Sequence, residues 1–232
     1  PERQQRYGQG WYNLQDPQEN GGWGPLLDGS IKPVGIPDAD GNYVMAPYSA
    51  RGNDEIKKFY QTGTILQNNL NISAGGADGY VNLNLGNVRR DFILEGDELN
   101  RNTVVLTAGK KINKFTVGGT FTFTNQRTKQ ANVNAATSRS DYTLLTTLLQ
   151  AASNVPIEEF KNRGLYGWNG YYQNPYWARE NNRLEETKNF INLGMNAGYE
   201  INKNIEIVYN GSVQMRNTNQ VSYSNQAISP AD

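Results

Sequence analysis

The stretch Phe115–Thr124, FTVGGTFTFT, decides the fold. Phe115, Val117, Phe121 and Phe123 alternate with Thr116, Thr120, Thr122 and Thr124, and a period of two puts the sets on opposite faces of a β-strand. Eight steps separate Phe115 from Phe123, roughly 27 Å at ~3.4 Å per residue. Tilted by roughly 40°, such a strand carries its apolar run through about 20 Å of height, near the ~25 Å apolar band of a membrane barrel.

Five other stretches alternate in the same way. ILQNNLNISA (65–74) sets Leu66, Leu70, Ile72 and Ala74 against Gln67, Asn69, Asn71 and Ser73. YVNLNLG (80–86) opposes Val81, Leu83 and Leu85 to Asn82 and Asn84, and TVVLTAG (103–109) aligns Val104, Leu106 and Ala108. FINLGMNAGY (190–199) opposes Ile191, Leu193, Met195, Ala197 and Tyr199 to Asn192, Gly194, Asn196 and Gly198. IEIVYNGSVQMR (205–216) sets Ile205, Ile207, Tyr209, Val213 and Met215 against Glu206, Asn210, Ser212, Gln214 and Arg216. The second face is Asn, Thr, Ser, Gln and Gly rather than the Lys and Glu of a solvated sheet, and suits a water-filled lumen.

The connections alternate in length. GGADG (75–79) is short, 87–102 long, KKINK (110–114) short, 125–189 very long and EINKN (200–204) short. AGKKINK and AGYEINK, 89 positions apart, both read Ala-Gly, two residues, Ile-Asn-Lys. In an up-and-down sheet every second connection lies at the same end, so short turns gather on one rim and long loops on the other, the asymmetry of outer-membrane barrels. Phe115 and Tyr199 adjoin the two Ile-Asn-Lys turns, where an interfacial aromatic girdle would lie. The expected fold is all-β, an antiparallel up-and-down transmembrane β-barrel of which this chain supplies about 6–8 strands, with long extracellular loops. Residues 1–63 are expected to hold the first barrel strands and an extracellular loop, and 64–124 further strands. Residues 125–189 are expected to form a long extracellular loop with a short helix, 190–216 strands, and 217–232 the start of the next loop.

Composition narrows the function. Only 37% of the 232 residues are hydrophobic, and 22 basic residues balance 22 acidic ones, which argues against a nucleic-acid surface. There is no cysteine and no histidine, so disulfides, thiolate metal sites and the commonest general base are excluded. No run approaches the ~20 apolar residues of a membrane helix. The opening PERQQRYGQG has neither a basic nor an apolar leader region, so the chain is expected to have lost its leader or to be an internal piece.

Few residues point to chemistry. PDADGNY (37–43) places Asp38, Asp40 and Asn42 like a calcium loop, but Tyr43 stands where that loop needs glycine and Ser49 where it needs glutamate, which favours a plain Asx turn. Glu158 and Glu159 read as solvated carboxylates. A helix is expected from Ser140 or Asp141, with Tyr142, Leu145, Leu148, Leu149 and Ala152 on its buried face and NVP (154–156) ending it. GLYGWNGYYQNPYW (164–177) interleaves Trp168, Tyr171, Tyr172, Tyr176 and Trp177 with amides, a composition that binds sugars or peptides. The same rings could instead form the internal core that a long ordered loop requires.

YGQG (7–10), GGWGPLLDG (21–29), IKKFYQTGTILQNNLNISAGG (56–76), LNR (99–101) and NPYWARENN (174–182) resemble, in that order, the early barrel region of SusC/RagA-type TonB-dependent outer-membrane transporters. The resemblance spans most of residues 7–216. It implies a 22-stranded barrel with an N-terminal plug in the outer membrane of a Gram-negative bacterium. The partners it implies are outer-membrane lipid, a SusD-like surface lipoprotein and the TonB complex, reached through a plug region that is expected to be missing from this chain. It implies import of an oligosaccharide or peptide, with no cofactor and no catalysis. Ligand would be captured against Trp168–Trp177 and pass a lumen lined by Asn69, Asn71, Thr120, Thr122 and Asn196. A soluble or surface β-sheet binding module and a passive porin are the other expectations.

Overall fold

A strand with one apolar face needs neighbours in register, and in the computed structural model all six alternating stretches pair side by side. The structure describes residues 4–52, 54–131 and 144–225. In chain order the elements are β1 (Gly10–Trp11), β2 (Leu14–Gln15), β3 (Ile31–Val34), β4 (Val44–Pro47), α1 (Asp54–Lys57), β5 (Thr64–Gly76), β6 (Gly79–Asp91), β7 (Glu98–Ile112), β8 (Phe115–Ala131), α2 (Leu144–Leu149), α3 (Pro175–Asn181), β9 (Asn182–Asn202) and β10 (Ile205–Ser224). A 3-10 turn, Ile157–Phe160, lies between α2 and α3. Strands β5 to β10 form one antiparallel sheet in sequence order, with β5 and β10 as its edges.

The register stacks like upon like. Ile72, Leu83, Leu106, Phe121, Leu193 and Val213 make one row across all six strands, and Leu70, Leu85, Val104, Phe123, Ile191 and Met215 make the next. Phe115 packs on Tyr199 near the turns, with ring centroids 4.6 Å apart. This apolar face is bare: Leu70 and Ile72 are each 53% exposed, and Val213 is 62% exposed. No helix among the described residues is long and apolar enough to cross a membrane, which says nothing about strands.

The short turns fall on Ala77–Asp78, Asn113–Lys114 and Lys203–Asn204 at one end. The two Ile-Asn-Lys segments share that end but differ as turns. The first reverses on Asn113 and Lys114, with Ile112 opposite Phe115 and Asn113 at φ 53°. The second reverses one residue later, with Asn202 opposite Ile205, and the register then skips Ile201 as a bulge. At the other end the expected 87–102 connection shrinks to residues 92–97, and the strands flanking the expected 125–189 loop reach in to Ala131 and start from Asn182. The strands continue past their apolar rows with polar residues on both faces, β9 for 21 residues and β10 for 20, so the periodic signal stops before the strand does.

Residues 4–63 do not supply the expected first wall strands. β1 pairs only with β2 and β3 only with β4, two ribbons separate from the six-stranded sheet. β1 and β2 lie in GQGWYNLQDP, β3 in IKPVGIP and β4 in VMAP, where glycines and prolines stop the strands at two or four residues, too short to span anything. The ribbons combine with residues 144–181 into a cap whose core holds Val34, Phe59, Leu148, Ile157, Phe160 and Trp168. Leu94 of the 92–97 loop packs against that core and ties it to the sheet. The expected helix is observed from Leu144; its expected cap, Ser140 or Asp141, and Tyr142 lie outside the described residues. Its buried face is Leu144, Thr147 and Leu148, while Leu145 and Leu149 are exposed, a correction to the expected stripe.

Candidate functional site

The polar face of the sheet brings all five expected lumen residues together. Asn71 and Thr122 share one cross-strand row, in the order Asn71, Asn84, Val105, Thr122, Asn192, Gln214. Thr120 stands in the next row towards the turns and Asn196 in the one after it, while Asn69 lies one row beyond Asn71 on the loop side. Cross-strand hydroxyls approach each other, Thr107 to Thr120 at 3.4 Å and Thr103 to Thr124 at 3.5 Å. These pairs put rotatable donors and acceptors on that face. Tyr80 also belongs to this face, although sequence reasoning does not single it out. Its ring lies against Gly109, where an added Cβ would sit 2.7 Å from the ring. Alternation with Val81 is the signal that places Tyr80 there.

The aromatic segment 164–177 does not form one ligand-facing surface. Trp168 is 1% exposed and meets Phe160 edge-on at 5.7 Å. Tyr176 is 2% exposed and packs on Phe59 at 4.8 Å. Tyr172 is buried and its hydroxyl donates to Gln150 Oε1. Trp177 is half-buried against Ala131, Leu144 and Ala178. Tyr171 alone of these five rings is well exposed, at 60%, and its hydroxyl donates to Glu19 Oε2 at 3.1 Å. That hydrogen bond, with the Glu19 charge, raises the Tyr171 pKa. The rings are spent on the internal core that a long loop needs, because backbone this far from the sheet has little else to pack against.

The local sequence shows why. Asn174 caps α3 by accepting from the Tyr176 N–H at 3.1 Å, and Pro175 starts the helix with the φ it already favours. That first turn aims Tyr176 into the core. The Asn-Pro pair is a legible helix start that aromatic composition overshadows in the sequence. Besides Tyr171, exposed rings of the cap are Trp11 and Tyr12 of the first ribbon and Trp23, whose backbone N–H donates to the Gly10 carbonyl at 3.0 Å. Tyr12 and Asn13 both have positive φ, 49° and 62°, as a two-residue primed hairpin turn requires.

Two arginines clamp the cap to the sheet. Arg179 is 2% exposed, lies 5.2 Å from the Phe59 centroid and 5.3 Å from that of Tyr176, and donates to Glu95 Oε2 at 2.9 Å. Arg183 donates to Asp97 Oδ1 at 3.0 Å, and the Ala131 N–H donates to the same oxygen at 2.7 Å. Burial pushes the Asp97 carboxyl above its ordinary value, against the pull of the Ala131 N–H and Arg183. In PDADGNY the Asp38 carboxylate accepts from the Asn42 and Asp40 N–H groups and faces Arg163 at 3.5 Å, which makes it an Asx turn. Among the described residues no group of three or more carboxylate, His or Cys side chains is arranged to hold a metal ion. No protein-family model and no curated protein matches this chain.

Proposed function

We propose that the six-stranded sheet is a section of the wall of an outer-membrane β-barrel, and that the chain serves TonB-dependent import of a glycan or peptide. The observation that carries this is the bare apolar band: rows of Leu, Ile, Val, Phe and Met are exposed or half-exposed on one face, while Asn, Thr, Ser and Gly predominate on the other. A solvated sheet that exposed such a band would aggregate, whereas lipid is a natural solvent for it. Six strands are too few to enclose a ligand-sized lumen, so further strands pair with the β5 and β10 edges in this reading. The cap then stands at the extracellular rim, beneath a SusD-like lipoprotein, and the polar face guides ligand towards the periplasm. The chain transforms nothing; it binds and conducts. The resemblance of YGQG, GGWGPLLDG and NPYWARENN to SusC/RagA-type transporters supports the transporter over a passive porin.

Because the chain lacks cysteine, single cysteines report cleanly. Spin labels at four consecutive positions of β9, introduced as Asn192→Cys, Leu193→Cys, Gly194→Cys and Met195→Cys, are compared in the full-length protein in its membrane. Labels at 193 and 195 should be relaxed by oxygen dissolved in lipid, and those at 192 and 194 by a water-soluble nickel complex. Equal water access at all four would reject the wall and favour a soluble module. Import that persists without TonB would leave a porin.

A further inference from the structure

The apolar band ends abruptly on the loop side. One row beyond Leu70, Leu85, Val104, Phe123, Ile191 and Met215, the same face carries Asn68, Asn87, Asn102, Asn125, Asn189 and Asn217. Asparagine occupies every strand of the sheet in that row. Its amides bond along the row, Asn87 Nδ2 to Asn102 Oδ1 at 2.8 Å and Asn125 Nδ2 to Asn189 Oδ1 at 2.7 Å. The next row on this face is Leu66, Arg89, Asn100, Arg127, Thr187 and Asn219. Arg89 and Arg127 are exposed, and among the described residues neither makes an ion pair. Asn100 stands between them, and the two arginines are two strand spacings apart, roughly 10 Å.

Building on the wall reading, we infer that this rim binds the phosphate-bearing headgroup of an outer-leaflet glycolipid. Rows lie about 7 Å apart along a strand, so the asparagine and arginine rows fill the headgroup layer, which is about 5–7 Å thick on each side of the hydrocarbon. Two guanidiniums at that spacing suit anionic phosphate, which they can grip through paired N–H groups. The amide row beneath matches sugar hydroxyls and ester carbonyls, since each amide keeps donors or acceptors beyond those used along the row. Charge selects the occupant: a zwitterionic headgroup gives the arginines no net partner. The following row carries Asp91, Glu98 and Glu185; there Lys129 pairs with Glu98 at 3.2 Å and Thr64 donates to Asp91 at 2.8 Å.

The test titrates the full-length detergent-purified protein with lipid A and, separately, with phosphatidylcholine, following the temperature at which the heat-modifiable band shifts. Lipid A should stabilise the protein, and Arg89→Gln with Arg127→Gln should weaken its binding roughly 30-fold, about fivefold per arginine. Arg89→Lys with Arg127→Lys keeps the charge but not the paired N–H groups and should recover only part of it. Arg90→Gln with Arg101→Gln, on the opposite face one residue to either side of that row, should change it by less than about threefold. Equal binding of phosphatidylcholine, or an unchanged lipid A affinity in the Arg89 and Arg127 variant, would overturn the inference. If the cysteine alternation on β9 holds while this fails, the wall stands and only the headgroup site falls.

Discussion

Asn174 is fully buried, accepts from the Tyr176 N–H at 3.1 Å and donates through Nδ2 to the Phe160 carbonyl at 2.8 Å. One side chain thus starts α3 and fastens it to the 3-10 turn. Asn174→Ala removes the cap and leaves a buried carbonyl without its donor, and should destabilise the cap by about 2–3 kcal/mol. Asn174→Asp keeps the cap acceptor but turns a second oxygen towards the Phe160 and Tyr166 carbonyls in a fully buried site, and should cost at least as much. Hydrogen exchange over residues 164–181 reads both; unchanged protection in the alanine variant would refute the assignment. Gly35 makes a similar case for backbone. It has φ 83°, and a Cβ there would lie 2.5 Å from the Phe160 ring. The Asn174 cap is legible in the Asn-Pro pair, but the Gly35 contact is not, because Phe160 is distant from Gly35 along the chain and only the fold joins them.

At the scale of elements, the cap is held by two buried phenols as much as by its helices. The Tyr48 pKa is pushed up to about 12 by burial and then by the Asp28 charge, and its hydroxyl donates to the Gln9 carbonyl at 3.0 Å. That of Tyr176 is pushed up to about 12 by burial first and the Glu158 charge second. Both folded-state values lie above the unfolded value of 10.0, so the folded cap retains protons that the unfolded chain releases. Their contribution is present in full below pH 10 and is lost as pH rises through about 12. Cap unfolding followed by tyrosinate absorbance should therefore accelerate between those limits. The Tyr176 hydroxyl has no hydrogen-bond partner among the described residues. Tyr176→Phe should then be neutral or slightly stabilising at pH 7 and should move the alkaline transition upward. A variant that lost stability at pH 7 would mean the hydroxyl has a role. Element legibility followed the same logic: long alternating runs announced β5 to β10, whereas α2's true buried face depended on what the cap offered it.

For the molecule as a whole, the two faces of the sheet should respond oppositely to the same charge. Phe121 and Thr120 are adjacent on β8, one in the centre of the apolar band and the other on the polar face. In a lipid-embedded wall Phe121→Arg should cost about 2–4 kcal/mol and lower the amount of heat-modifiable protein in the outer membrane. Thr120→Arg should leave assembly intact and alter ligand passage. Equal tolerance of both would mean that the apolar face does not meet hydrocarbon. The expected lumen residues fall on one face of the sheet because alternation alone assigns them there. The expected aromatic site did not, because Trp168 and Tyr176 carry the same composition whether a ring faces a ligand or a core.

By itself the sequence determined the six strands, their two-faced character and the rim on which the short turns lie, since all of these follow from a period of two and the lengths of connections. Only the tertiary structure decided which rings the cap buries, that β1 to β4 stay apart from the six-stranded sheet, and that one Ile-Asn-Lys turn is offset from the other. It also decided the asparagine row, whose members are scattered from Asn68 to Asn217. Register is a relation between strands, set by turn geometry and by matching of apolar rows, and no single strand contains it.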